Sequence, residues 1–120
     1  MNYQIIGSHH DIAYVQGEPP LITDVQSALD LMMTVKYETG CQKLILDKAC
    51  VTEDFFVLST GVAGEILEKF VTYHVALAIV GDYSGYTSKP LRDFIYESNQ
   101  GRQVFFPQTL DQAVEYLERL

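Results

Sequence analysis

The side chains best placed to do chemistry are a hydroxyl pair, Ser59 and Thr60, followed by Gly61 at the start of an amphipathic stretch, GVAGEILEKFVTY. A phosphate placed there would meet the unpaired amides and positive dipole end of a helix, and would add up to about two negative charges to the surrounding surface. The same hydroxyls also suit the N-cap of that helix, which is the plainer role for Ser or Thr at such a position. A second group lies in GDYSGYTSK and just beyond it, comprising Asp82, Thr87, Ser88 and Arg92. It follows an apolar strand, and parallel α/β sheets usually hold ligands at the carboxyl ends of their strands. Its spacing is neither that of G-x-G-x-x-G nor that of a P-loop, and Ser88 is equally placed to cap a helix.

The remaining reactive residue types point away from catalysis. His9 and His10 are adjacent and would face opposite sides of a strand, so a solvated turn is expected rather than chelation. His74 ends a helix, where the dipole favours an imidazolium and a C-terminal cap accounts for it. Cys41 and Cys50 match neither a CxxC motif nor a ligand cluster and read as reduced packing residues. No metal and no cofactor is expected. Neither Cys50 nor Ser59 has a histidine at a recognisable nucleophile-to-base spacing, and the chain reads as non-enzymatic.

Composition narrows the partners. The 120 residues, 48% of them hydrophobic, suffice for one core and are too few for two ordinary domains, so a single domain spanning 1–120 is expected. Sixteen acids against eight bases give a net charge of −8, with no basic run. That balance excludes nucleic acid as the expected partner, disfavours an anionic membrane, and favours a protein partner that presents basic residues. No apolar run approaches the roughly 18 residues of a membrane span, and MNYQIIGSHHDIAYV has no secretory pattern. A cytoplasmic protein is expected.

The elements that must position these residues follow from periodicity. Residues 3–6 and 11–16 read as a strand pair with Gly7 to His10 as the turn. GEPP ends the second strand, and a helix begins near Thr23, where Thr23 and Gln26 have capping-box spacing. Val25, Ala28, Leu29, Met32 and Met33 form its apolar face and Gly40 closes it. Residues 44–46 are a buried strand. Thr52, Glu53 and Asp54 open a short helical turn that buries Phe55 and Phe56. In the next helix Val62, Ala63, Ile66, Leu67, Phe70 and Val71 make the stripe, and Gly64 implies close approach to a neighbour. VALAIVG is another buried strand, followed by a helix with Pro90 in its first turn and Leu91, Phe94 and Ile95 inward. QVFF is the last strand, and Thr109 to Gln112 caps a final helix carrying Leu110, Ala113, Val114 and Leu117. Five strands and about four helices in this order imply an α/β fold with a mixed, mainly parallel sheet and right-handed crossovers.

A strand pair followed by helix, strand, helix, strand, helix, strand and helix resembles the STAS, or SpoIIAA-like, fold of the bacterial anti-sigma factor antagonists. LILD followed by Ser59-Thr60-Gly61 and a helix is similar to the antagonists' strand, Asp-Ser-Ser-Gly and helix, and VFFPQTLDQAVEYL resembles the strand and helix that close such domains. The stretch from Thr60 to Gly101 also resembles a bacterial family known as domain of unknown function 4180. The antagonist resemblance implies a hydroxyl before the helix glycine, here Thr60, that a partner kinase phosphorylates to block binding. Leu58 stands where that motif has its acid.

The expectation is therefore a STAS-like domain that binds a kinase or another regulatory protein, phospho-regulated at Thr60 with Ser59 and Gly61 beside it. The alternative is a small-ligand sensor or enzyme using the loops after residues 46 and 81, with Asp47, Asp82 and Arg92 gathered in one concavity. A third reading is a homodimer formed through an edge strand or the terminal helix.

Overall fold

The short alternating segments at the start of the chain pair as an antiparallel hairpin in the computed structural model, which describes residues 1–120. Strands β1 (Asn2–Ile6) and β2 (Ile12–Gln16) run in unbroken register from Asn2↔Gln16 to Ile6↔Ile12. The three apolar runs that follow become β3 (Lys43–Asp47), β4 (Ala76–Val80) and β5 (Val104–Phe105), each added parallel to its predecessor. The sheet order is β1-β2-β3-β4-β5. The expected five-stranded, mainly parallel sheet and four helices are all present: α1 (Val25–Thr39), α2 (Val62–Thr72), α3 (Lys89–Asn99) and α4 (Leu110–Glu118).

Because each right-handed crossover steps to the next strand in the same direction, α1, α2 and α3 all lie on one face of the sheet. Alternation along the strands sends Ala13, Val15, Leu44, Leu46, Leu77 and Ile79 into that face, where they meet Met32, Val35, Ile66, Phe70 and Leu91. The other face carries Ile12, Ile45, Ala76, Ala78 and Phe105, and α4 alone covers it with Ala113 and Leu117. Burial on both faces explains why β3 and β4 read as continuous apolar runs. Edge strand β1 contributes Tyr3, whose buried Oη has no hydrogen-bond partner. Burial first, then the Glu38 carboxylate nearby, pushes this phenol up to about 12.

Helix limits follow local chemistry. Gly40 closes α1 in the left-handed conformation at φ 75°, as expected. Ser88 and Thr109 cap α3 and α4, accepting from Leu91 N and Gln112 N. The box that opens α1 lies one residue later than Thr23. Asp24 accepts from Ser27 N at 2.8 Å and Ser27 Oγ accepts from Asp24 N at 3.0 Å, while Gln26 pairs with Asp30 instead. The offset has a tertiary cause: Ile22 bridges Val51, with Thr52 N donating to Ile22 O at 2.8 Å, so the chain stays extended past that point. The buried face of α1 is Ala28, Leu31, Met32 and Val35, and Met33 is turned outward.

Gly64 corrects another expectation. A Cβ built there meets nothing within 4 Å, so no neighbour requires the glycine. Replacing it removes only a backbone-entropy penalty. Gly64→Ala is expected to raise stability by about 0.5–1 kcal/mol, read as a higher urea midpoint at unchanged slope; a lower midpoint would refute the open-space reading.

Candidate functional site

The link from β3 to α2 is long, and it folds as three short 3-10 turns at Lys48–Cys50, Glu53–Phe56 and Leu58–Thr60. The middle turn carries Phe55 and Phe56 into the core, as the sequence implies. The last turn brings the chain to Gly61, which adopts φ 77° and occupies the N-cap position of α2 without a capping side chain. Thr60 reaches over the helix mouth from one residue earlier. Its Oγ1 accepts from Val62 N at 3.2 Å and lies 2.8 Å from Val57 O and 3.0 Å from Asp54 O, to which it donates. The cap role expected of Ser59 or Thr60 is thus performed by Thr60 from outside the N-cap position, because the left-handed glycine turns the backbone beneath it. The next two amides, those of Ala63 and Gly64, have no protein acceptor. Ser59 is exposed, and its hydroxyl makes no hydrogen bond within the chain.

Ser59 lies across an open groove of ≈450 Å³ from Thr87 and Ser88. Phe56, Val57, Leu58, Tyr86, Pro90 and Leu91 line it, with Glu53 at one side. The fold therefore brings one member of the first candidate region, Ser59, and two of the second, Thr87 and Ser88, to the lining of one depression, while Thr60, Gly61, Asp82 and Arg92 lie outside it. Val57, on the rim, is 46% exposed.

A polar cluster beside the groove ties those walls together. Lys48 Nζ pairs with Glu53 Oε1 at 3.2 Å, and Tyr86 Oη donates to Glu53 Oε2 at 2.6 Å. The ammonium also stands 4.9 Å from the centroid of Phe56 and 5.0 Å from that of Tyr86, a cation–π arrangement on two rings. The Tyr86 hydroxyl, and then Lys48, hold the Glu53 carboxyl below its ordinary range against the opposing effect of burial. Burial pulls the Lys48 ammonium down, but Tyr86 and Glu53 outweigh it and its pKa is raised. A Cβ on Gly81 would lie 2.6 Å from Lys48 Cβ, so the glycine at the end of β4 is what lets the Lys48 stem pass. The sequence marked none of Lys48, Tyr86 and Gly81, and it marked Glu53 only as part of the short helical turn, not of a side-chain cluster. The only local signal was the apolar FF pair that needed a lid.

The other sequence candidates go to separate places. Asp82 is exposed and held by Ser84, whose hydroxyl and amide donate to its Oδ1 at 2.6 and 2.9 Å and lower its pKa. Arg92 is exposed on α3, lining shallow surface with Lys89, Asp93 and Tyr96 on one side and Tyr83 and Ser84 on the other. Asp47 lies on the α4 side of the sheet, where Tyr14 Oη donates to both its oxygens at 2.8 and 3.0 Å. The concavity expected to gather Asp47, Asp82 and Arg92 does not form, because odd positions of β3 face α4 while the groove opens on the α2 and α3 side. Cys41 and Cys50 are buried free thiols. No three His, Cys, Asp or Glu side chains are grouped as metal ligands would be, and no helix is long and apolar enough to cross a membrane.

Comparison with known proteins returns one family. The model for a domain of unknown function, DUF4180, matches residues 8–117. No curated protein and no solved structure matches the chain.

Two outcomes follow for the cluster. Gly81→Ala forces its Cβ against Lys48 and is expected to cost about 1–3 kcal/mol, seen as a lower urea midpoint; an unchanged midpoint would mean that the strand end yields freely. Glu53 has a depressed pKa, so its contribution is complete above its ordinary value of 4.5 and is lost as pH falls through the folded value. Glu53→Gln should therefore flatten the loss of stability on acidification, at a neutral-pH cost below about 1 kcal/mol after solvent screening. Equal acid slopes for both proteins would remove Glu53 from this role.

Proposed function

The chain belongs to the DUF4180 family, and from that premise we propose that it is a non-enzymatic, STAS-like regulatory domain of the anti-sigma factor antagonist type. It docks a protein partner on the mouth of α2, and a phosphate on Thr60 reverses the docking. The observation that carries this reading is the composition of that mouth. An exposed Val57, the small exposed residues Ser59, Gly61 and Gly64, and two unfilled amides stand together beside an open groove. That set offers apolar contact and hydrogen bonds to another chain. It holds no nucleophile next to a base.

The element order and the one-directional winding support the STAS-like classification. They also weigh against a nucleotide-type crevice, since such crevices open where strand order reverses and here it never does. A phosphate on Thr60 fits the local chemistry in two ways. It could be received by the Ala63 and Gly64 amides, which takes them from the partner, and it would put a strongly hydrated dianion beside the apolar contact at Val57, where docking would have to desolvate it. It would also remove the O–H donor that now serves Val57 O and Asp54 O. One observation favours a second reading, a small-ligand sensor: the groove volume of ≈450 Å³ lies in the range that small molecules occupy.

The test is affinity capture from the native extract with wild type, Thr60→Ala, Thr60→Glu and Val57→Asp, followed by titration with the purified partner. One partner should be held by wild type and Thr60→Ala and weakened about tenfold or more by Thr60→Glu and Val57→Asp. Equal binding by all four proteins, or no partner at all, would sink the docking reading. Saturable binding of a small metabolite that Val57→Asp abolishes would establish the sensor in its place.

A further inference from the structure

The two edges of the sheet are built differently. Strand β5 is two residues long, Pro107 follows it closely, and Arg102 and Arg119 flank the depression beside Phe105. Shortness, proline and charge are the devices that stop an edge from pairing with another chain. Strand β1 has none of them. It runs for five residues without a bulge, proline or charged side chain, and the first Asp, Glu, Lys or Arg in the chain is Asp11. Met1 and Ile5 are 54% and 39% exposed along it, and Met1, Leu21 and Leu31 line a shallow depression beside it.

We propose that β1 is a self-association edge, on which a second copy of this chain pairs its own β1 antiparallel about a two-fold axis at Gln4, joining two five-stranded sheets into one. The occupant is a second copy because the strand is self-complementary under that axis. Gln4 meets Gln4 of the second copy and their amides can exchange hydrogen bonds. Tyr3 meets Ile5, an aromatic with a β-branched residue on one face, and Asn2 meets Ile6 on the other. Charge selects the same segment. In a protein of net charge −8, two copies repel over most of their surface, and β1 lets them approach along a strand that carries no charge. The acids around it, Asp30 beside Met1 and Glu38 beside Tyr3 on α1 and Glu118 of α4 held at Ser8 beyond its end, belong to helices and not to the strand. Main-chain hydrogen bonds along the free edge supply the affinity. This edge is separate from the α2 mouth, so either site can fail without the other.

Sedimentation equilibrium over a wide concentration range tests it, using wild type, Gln4→Lys, Ile5→Lys and Tyr37→Lys. All three side chains are exposed in the single chain, so circular dichroism should show an unchanged fold. Wild type and Tyr37→Lys should rise to twice the chain mass, and both β1 variants should associate about tenfold more weakly or not at all. One chain mass at every concentration would overturn the proposal. So would association that survives both β1 variants, or that is lost in Tyr37→Lys and kept in Gln4→Lys, since the outward face of α1 would then be the interface.

Discussion

Winding in one direction is the constraint on which the rest of this molecule depends. Each of the three parallel additions, β2 to β3, β3 to β4 and β4 to β5, steps the same way across the sheet. Right-handed crossovers then place α1, α2 and α3 on a single face, and that face becomes the larger core, with 23 buried residues against 7 on the other side. The imbalance fixes what α4 must be. A helix of nine residues is left to close the opposite face, and it does so with Ala113 and Leu117 over Ile45, Ala78 and Phe105. Both ends of α4 are tied. Thr109 caps its start, and at its finish Glu118 accepts from the amide and hydroxyl of Ser8 in the β1–β2 turn.

The same winding collects the loops that follow β3 and β4 at one end of the sheet, side by side on the helix face. There the chain meets a packing problem, since Phe55 and Phe56 enter the core from a short turn in a loop. The solution is aromatic. Phe56 lies within 5.1–6.2 Å, centroid to centroid, of Phe55, Tyr83, Tyr86 and Phe106, and Tyr83 Oη is anchored to Ile79 O at 2.6 Å. Lys48 closes the top of this cluster with its stem over Gly81 and its charge over two ring faces. Glu53 then neutralises it and binds Tyr86. Exposed ion pairs are worth little alone, but here the pair also positions a loop, so its value lies in geometry more than in Coulomb energy.

What the sequence made legible was whatever depends on near neighbours. The stripe of α2, the buried runs of β3 and β4, the left-handed Gly40 and the caps at Ser88 and Thr109 all arise within a few residues of chain, where periodicity and capping chemistry act. The misreadings share the opposite property. Thr23 and Asp24 have equally good capping neighbours, and the choice was made by Val51, which is distant in sequence and holds Ile22 extended. Gly64 looked like a contact residue because one dimension does not show that the space beside it is open. The groove and the Lys48 cluster join residues separated by more than thirty positions, as Glu53 and Tyr86 are, so no local pattern could announce them. Ser59 and Thr60 lay between these cases. Their position at a helix mouth was readable, but which hydroxyl is engaged depended on the φ of Gly61 and on carbonyls supplied by the preceding turn.

The way the groove is built bears on how it can be used. One wall comes from the 3-10 turns before α2 and the other from the loop into α3, and the two share Phe56 and Tyr86 with the aromatic cluster beneath. A surface whose lining residues are also core residues cannot rearrange without disturbing that core, because close-packed interiors resist small displacements. On the docking reading proposed above, recognition would use a surface formed before the partner arrives, with little ordering left to do on binding. Specificity on that reading would come from what is already presented: an apolar rim at Val57, the hydroxyls of Ser59, Thr87 and Ser88 along the groove, and amides left open at the start of α2. A change at the helix mouth is then felt locally, through added charge and lost contact. On the proposed reading, it would need no displacement of the sheet to act on a docked partner.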